Sequence, residues 1–169
     1  MQTFLSHYCA LDIARSLDDK RLNSQINEGN RLLDLVLGLT DNPWKNHPAC
    51  RMWLDNPDVL QFYINTMLDE WRYRGKGGNR PCRHDLSIDI HTITYPWFMS
   101  DPRVIISHRS NLVRKLPNFY SRYGWIDFGI EGYYWPVPLK TKKAQKISDQ
   151  WEVLINNLSK YMDINQLCE

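Results

Sequence analysis

Four polar residues share one face of a helix that the sequence predicts near its start. They are Arg21, Gln25, Glu28 and Arg31. Their spacings of 4, 3 and 3 place them side by side on a helix. A carboxylate between two arginines is expected to stay ionised at neutral pH. Such a group can stabilise positive charge that develops on a sugar ring, and it can accept a proton from carbon. The simpler alternative is an exposed ion pair worth about 0.3 kcal/mol.

Other residues of types that often bind metals or act as nucleophiles do not match the spacing of a known metal site or catalytic motif. Cys82, His84 and His91 lie close together, but their spacing fits no common zinc site. Ser107 and His108 are neighbours and would point in different directions on a helix, and no Gly-x-Ser-x-Gly turn is present. We therefore expect no metal ion and no cofactor.

Two stretches of the chain carry basic residues without any acidic residue among them. The first covers residues 71–83, and the second covers residues 102–126, where Tyr120, Tyr123 and Trp125 lie among the basic residues. A DNA backbone attracts such charges, and unstacked bases stack on aromatic rings. The alternative is a solvated helix face with aromatic residues in the core. The basic residues of the second stretch are Arg103, Arg109, Arg114, Lys115 and Arg122.

Apolar spacing and proline positions predict a mainly helical protein. One helix follows the cap residue Asp18 and ends before Gly38, because apolar residues recur there at helical spacing. Prolines at the first helical position predict two more helices, one starting at Asn56 and one after Asp101. A C-terminal amphipathic helix is also predicted, whereas residues 86–90 fit a short strand or an extended segment. We expect a compact, all-α single domain with long loops.

Length and composition are those of an ordinary globular protein. The chain has 169 residues, of which 43% are apolar and 24% charged, and its formal net charge is +2. No apolar run reaches the ~20 residues of a membrane-spanning helix, and the first twelve residues do not resemble a signal peptide. Four cysteines without a Cys-x-x-Cys pair favour free thiols. We expect a cytoplasmic protein.

Six short motifs in a fixed order resemble the pyrimidine dimer DNA glycosylase (endonuclease V-like) family, in its bacterial and phage branch. Each motif is weak alone, but six in the same order are fairly specific. The motifs are MQTF (1–4), LDDKRLNSQINEGNRLL (17–33), NHPACRMW (46–53), EWRYRG (70–75), SHRSNLVRK (107–115) and YYWP (133–136). We therefore predict a glycosylase-like domain over residues 1–138, with a helical extension over residues 139–169 that docks on it.

The resemblance implies an enzyme that cuts the N-glycosidic bond of a damaged pyrimidine, such as one in a cyclobutane dimer, and then nicks the DNA strand by β-elimination. The family's nucleophile is an amine at the N-terminus, which forms a Schiff base with the opened sugar. Here that amine falls on Met1, or on Gln2 or Thr3 if the N-terminus is processed. The family's catalytic glutamate aligns with Glu28, and its phosphate-binding arginine aligns with Arg31.

The same resemblance implies a partner and a set of DNA contacts. The partner is double-stranded DNA with damaged pyrimidines or abasic sites, bound by a monomer in the cytoplasm, on the nucleoid or in a phage-infected cell. His47 lies in a family motif and either flanks the site or starts a helix. The alternative is a protein that binds distorted DNA without catalysis, or a purely hydrolytic glycosylase. The predicted DNA-binding residues are Arg21, Gln25, Arg31, His47, Arg109, Arg114, Lys115, Arg122 and Tyr123.

Overall fold

The protein is all-α in the part of the chain that the structure, a computed structural model, describes. Residues 2–77, 86, 88–89 and 92–168 are described, and no strand occurs among them. The predicted fold class is thereby confirmed. The α-helices are α1 (Ala10–Ser16), α2 (Asp19–Val36), α3 (Pro48–Arg51), α4 (Pro57–Tyr73), α5 (Pro102–Lys115), α6 (Pro117–Tyr120) and α7 (Lys142–Leu158). Short 3₁₀ helices cover Pro43–Asn46, Trp97–Met99, Ser121–Tyr123 and Ile164–Leu167.

Contacts between residues group the chain into two compact units. The first unit comprises Met1–Phe4 and Cys9–Pro96, and it contains helices α1 to α4. The second unit comprises Leu5–Tyr8 and Trp97–Glu169, and it contains helices α5 to α7. The division into residues 1–138 and 139–169 stays a prediction.

Helices α2 and α4 pack against each other in the first unit. Asp18 caps α2 by accepting a hydrogen bond from the Lys20 amide, and Pro57 opens α4. The two helices approach closely at Gly29, where an added Cβ would lie 2.7 Å from Cγ1 of Ile64. Any larger residue would push Ile64 aside. This tight contact fixes the position of Glu28, the residue before the glycine.

Arg74, at the end of α4, holds the first unit together. Its guanidinium donates hydrogen bonds to the carbonyl oxygens of Leu17 at 2.7 Å and Ala14 at 3.0 Å. It also pairs with the Glu70 carboxylate at 2.7 Å. This member of the first basic stretch therefore stabilises the fold, whereas Arg80 and Arg83 lie outside the described residues.

Helix α5 forms the centre of the second unit. Every residue from Val104 to Val113 is buried, so the helix is covered on all sides. Helix α7, capped by Thr141, packs Trp151 and Ile155 in one cluster with Ile105 and Ile106 of α5. The C-terminal amphipathic helix predicted from the sequence is therefore present and contacts α5.

The long helices agree with the sequence prediction, and the short ones do not. Helices α2, α4, α5 and α7 occupy the predicted places, whereas α1, α3 and α6 were not predicted. Segments of 7, 4 and 4 residues are too short for a periodic apolar pattern. Leu86, Ile88 and Asp89, the described residues of segment 86–90, are not in a strand.

Two further expectations concern membranes and thiols. Among the helices that the structure describes, none has both the length and the apolar character needed to cross a membrane. Cys9, Cys50 and Cys168 are free thiols, and Cys82 lies outside the described residues.

Candidate active site

The N-terminal segment is buried inside the first unit. Gln2, Thr3 and Phe4 are 7%, 0% and 6% exposed. The indole nitrogen of Trp53, itself fully buried, donates a hydrogen bond of 3.0 Å to Oγ1 of Thr3. The start of the chain is therefore held as firmly as a core element.

Gln25 and Tyr63 hold the next residue of this segment. The Phe4 amide donates to Oε1 of Gln25, and the Tyr63 hydroxyl lies within hydrogen-bond distance of both the Phe4 carbonyl and Oε1 of Gln25, each at 2.9 Å. Burial raises the pKa of Tyr63 well above its usual value, and the negative charge of Glu28 raises it further, so the hydroxyl keeps its proton. Gln25, predicted to bind DNA, is only 1% exposed and positions the N-terminal segment instead.

The same segment reaches the candidate catalytic carboxylate. The backbone nitrogen of Gln2 donates a hydrogen bond of 2.6 Å to Oε2 of Glu28, across 26 residues of sequence. Hydrogen bonds to an ionised carboxylate are short and strong. The fold therefore places the first described peptide nitrogen of the chain directly on the glutamate that the sequence singled out.

An open pocket lies beside this contact. It has a volume of about 400 Å³, within the range of ligand pockets, and both Glu28 and Arg31 line it. The Arg31 side chain is exposed to solvent. Trp44, from the 3₁₀ helix Pro43–Asn46, forms another part of the wall. The sequence offered a signal for Trp44 that was missed: a large aromatic residue in an otherwise polar, turn-forming stretch, TDNPWKN.

Arg21 takes a different place from the one its spacing suggested. Its guanidinium pairs at 3.3 Å with Asp18, the residue that caps the N-terminus of α2. We expected Arg21 and Arg31 to flank the Glu28 carboxylate. The partner that the structure shows for Glu28 is the Gln2 amide, and Arg21 contributes to the start of the helix.

His47 starts helix α3 and also lies next to the pocket wall. Its Nδ1 accepts a hydrogen bond of 3.1 Å from the Ala49 amide, and its ring centroid is 5.1 Å from that of Trp44. Burial lowers the pKa of His47, and the positive charge of the chain's N-terminal amino group lowers it further. The imidazole is therefore neutral at neutral pH, which suits its role as a hydrogen-bond acceptor.

Arg109 in the second unit serves the fold and not an open surface. It is 4% exposed, and its three guanidinium nitrogens donate to the carbonyl oxygens of Ser6, Leu167 and Cys168, each at 2.6 Å. A phosphate contact, which the sequence suggested, would require these bonds to break. We therefore exclude Arg109 from the proposed DNA contacts.

The other predicted basic residues of the second unit differ in exposure. Arg114 is partly buried and pairs with Asp127 at 3.2 Å. Lys115 and Arg122 are exposed, and the Arg122 guanidinium lies 3.7 Å from the centre of the Phe119 ring. These exposed residues can meet a DNA backbone, whereas Arg114 would first have to leave its partner.

Aromatic residues form a stack near Arg122. The Tyr123 ring lies 4.8 Å from that of Trp125 at an angle of 25°, and the buried Tyr120 ring lies 5.8 Å from Trp125 on a nearly parallel plane. Tyr120 therefore belongs to the core, which is one of the two expected roles, while Tyr123 is only partly buried. Contact of Tyr123 with DNA stays a prediction.

Several candidate residues lie outside the part of the chain that the structure describes. Met1, the predicted nucleophile, lies outside it, as do Cys82, His84 and His91. Within the described ranges, no group of three His, Cys, Asp or Glu residues could hold a metal ion.

Comparison with known proteins supports the family. Residues 1–84 match the model of the pyrimidine dimer DNA glycosylase family, so this part of the chain is similar to that family of DNA repair enzymes. The match includes Glu28 and its pocket, but it ends before the motifs SHRSNLVRK and YYWP, which the resemblance had included. No curated protein and no solved structure matches the chain.

Proposed function

We propose that the protein is a bifunctional DNA glycosylase and AP lyase that acts on cyclobutane pyrimidine dimers. The observation that carries this proposal is the hydrogen bond of 2.6 Å between the Gln2 nitrogen and Glu28. It brings the start of the chain, where the nucleophilic amine resides, to a carboxylate beside an open pocket. The match of residues 1–84 to the pyrimidine dimer DNA glycosylase family supplies the substrate class.

In the first step, the N-terminal amine attacks C1′ of the damaged nucleotide. The new C–N bond forms as the glycosidic bond breaks, and the base takes the electron pair and the proton that the amine nitrogen loses. The base stays joined to the neighbouring pyrimidine through the cyclobutane ring. An α-amino group has a pKa of about 7.7 to 8.0, so a useful fraction is unprotonated at neutral pH. The amine belongs to Met1, or to Gln2 if Met1 is removed. Glu28 stabilises the positive charge that develops on the sugar.

In the second step, the sugar ring opens and the amine becomes a Schiff base. Glu28 removes a proton from C2′, and the electrons expel the 3′ phosphate oxygen from C3′. This β-elimination cuts the strand, and water then hydrolyses the imine to release the enzyme. Neither step requires a metal ion or a cofactor.

Exposed basic residues supply the proposed contacts with the DNA backbone. Arg31 lies in the same pocket as Glu28 and would hold a phosphate next to the reacting sugar. The Arg21 side chain is less exposed to solvent than that of Arg31, but it is still partly accessible for such a contact. Lys115 and Arg122 would add charge from the second unit, with Tyr123 as an aromatic contact. We propose that the protein binds double-stranded DNA as a monomer.

The decisive experiment is borohydride trapping on three labelled duplexes. One duplex is undamaged, one carries an abasic site, and one carries a cyclobutane thymine dimer. We expect an adduct with the dimer and the abasic site, and mass mapping should place it on Met1 or Gln2. An adduct with the abasic site alone would contradict the dimer specificity. Tight binding without any adduct or any cleavage of the glycosidic bond would overturn the enzyme proposal in favour of a binding protein.

A further inference from the structure

Gln25 is a buried polar residue of helix α2 that holds the N-terminal segment by its backbone. The residue is 1% exposed, and its Oε1 accepts a hydrogen bond of 2.9 Å from the Phe4 amide. The Tyr63 hydroxyl lies 2.9 Å from this same oxygen and 2.9 Å from the Phe4 carbonyl oxygen. Because Tyr63 is fully buried, its hydroxyl proton is shared between these two oxygens. Phe4 is thereby fixed at both its nitrogen and its carbonyl group.

The hydrogen bond between Gln25 and Phe4 lies close in the chain to the candidate catalytic carboxylate. Gln25 and Glu28 are three residues apart in α2 and therefore share one face of the helix. On the N-terminal segment, Phe4 is two residues from Gln2, whose nitrogen donates the hydrogen bond of 2.6 Å to Glu28. Two hydrogen bonds thus join the segment to the same face of α2. The bond at Gln25 determines which residue of the segment lies against Glu28, because a shift of the segment by one residue would break it.

The side-chain amide of Gln25 contributes little net stability. Its Nε2 is buried, and within the described part of the chain this nitrogen has no hydrogen-bond partner. An unpaired buried donor costs about as much free energy as one or two neutral hydrogen bonds contribute. The hydrogen bonds of Oε1 therefore do little more than offset the unpaired Nε2. Residues that break a local structural rule in this way are expected at functional sites.

We propose that Gln25 is a positioning residue for the proposed reaction, and that it holds the N-terminal segment in the register that brings the nucleophilic amine to Glu28. The inference rests on the proposed function. Gln25 is too deeply buried to touch the DNA, so it acts through the segment that it holds. A reacting group that is displaced by about 1 Å can lose about 10²-fold in rate. Because one amine serves both steps, cleavage of the glycosidic bond and cleavage of the strand should depend on Gln25 to the same extent.

The Gln25→Met variant tests this role, because it removes the acceptor and keeps a side chain of similar length. Borohydride-trapped adduct should form about 10- to 100-fold more slowly at saturating DNA, on the dimer duplex and on the abasic duplex alike. The affinity for both duplexes, measured by fluorescence anisotropy, should stay within about twofold of wild type. Hydrogen exchange measured by mass spectrometry should become faster in residues 2–8, because the segment is held less firmly.

Gln61→Met is the matched control for a purely structural effect. Gln61 is also a buried glutamine of the first unit, 2% exposed, and its side chain forms hydrogen bonds of 2.9 and 3.3 Å with the amide and the carbonyl group of Leu86. This variant should lose stability in urea but should trap adduct at the wild-type rate. Tyr63→Phe, which removes one hydroxyl and keeps the ring, should slow adduct formation in the same direction as Gln25→Met but by less. Tyr63→Phe decides the question if Gln25→Met does not fold.

The possible outcomes separate this inference from the proposed function. Equal trapping rates for Gln25→Met and Gln61→Met would overturn the inference and leave the proposed function intact. A loss of DNA affinity with an unchanged rate at saturating DNA would also overturn it, because Gln25 would then be a DNA contact. A wild-type protein that forms no adduct on any duplex would refute the proposed function, and this inference with it.

Discussion

Helices α2 and α5 both carry a run of polar residues, but these residues differ in their exposure to solvent. In α2, Glu28 and Arg31 line an open pocket, and Glu28 accepts a hydrogen bond from the Gln2 amide. In α5, the polar residues from Ser107 to Asn111 are all buried, and they form hydrogen bonds within the second unit. A run of polar residues in a helix is therefore not in itself a sign of a binding surface.

Burial explains the difference. Helix α5 is covered on all sides, so each polar side chain must find a partner inside the protein. The Asn111 side chain, for example, donates to the Gly132 carbonyl and accepts from the Gly132 amide, and Oγ of Ser107 accepts from the Tyr134 amide. Helix α2 buries one side only, which leaves carboxylate and guanidinium groups available for a ligand.

The largest expected effect is the loss of catalysis when Glu28 of α2 is replaced. Glu28→Gln should lower the rates of glycosidic bond cleavage and strand cleavage by about 10²- to 10⁴-fold, the usual contribution of a general base. The glutamine keeps an oxygen that can accept from the Gln2 amide, so folding and binding to a dimer duplex should change little. Glu131→Gln, at an exposed position in the second unit, is the matched control and should be as active as wild type. Full activity in Glu28→Gln would remove the assigned role.

Replacement of the buried arginine of α5, Arg109, should lower the stability of the protein. Arg109→Met keeps much of the length of the side chain but leaves three carbonyl oxygens, two of them in buried hydrogen bonds, without their donor, so the free energy of unfolding should fall by about 3–5 kcal/mol. Urea unfolding measures this. Arg122→Met, at an exposed site, should change stability by less than about 0.5 kcal/mol. Similar values for the two variants would mean that the buried guanidinium does not stabilise the second unit.

Acid should destabilise the protein through His108 of α5. Burial lowers the pKa of His108 to about 3, and its Nδ1 accepts a hydrogen bond of 2.8 Å from the Leu5 amide. The unfolded histidine binds a proton near pH 6.5, so the unfolded state holds more protons between that pH and 3. Stability should therefore fall as the pH falls below about 6.5, by about 1.4 kcal/mol per pH unit from this residue.

The His108→Asn variant isolates this contribution. Its amide oxygen can accept from Leu5, but it cannot be protonated, so stability should depend less steeply on pH between about 6.5 and 5. Urea midpoints at three pH values suffice for the comparison. Identical slopes for the variant and wild type would show that other groups cause the acid sensitivity.

The smallest expected effect is a change in the salt dependence of DNA binding. It should differ between Arg31 of α2 and Arg114 of α5. Arg31→Ala should make the dependence of DNA binding on salt less steep by about 0.9 in log K against log salt, the value for one lost phosphate contact. Arg114→Ala should leave the slope unchanged, because Arg114 is already paired with Asp127. Fluorescence anisotropy over a range of salt concentrations gives both slopes. A change in the Arg114 slope alone would reverse the roles of the two helices.

The sequence by itself determined the long helices and the candidate carboxylate. Helix caps and apolar spacing are local features, and they correctly located α2 from Asp18 and the two proline-started helices α4 and α5. Spacing within one helix was also enough to place Glu28 and Arg31 on the same face.

Only the tertiary structure decided which polar residues stay open to solvent and which are buried. The contact of Gln2 with Glu28 spans 26 residues, and those of Arg109 with Ser6 and Leu5 with His108 span 103 each. Such pairings depend on how helices pack, and no local pattern encodes them. For the same reason, Arg109 is buried and supports the fold, whereas Arg31 is exposed to solvent, although both are arginines within a helix. Burial, which the chain acquires only on folding, separates a structural charge from a functional one.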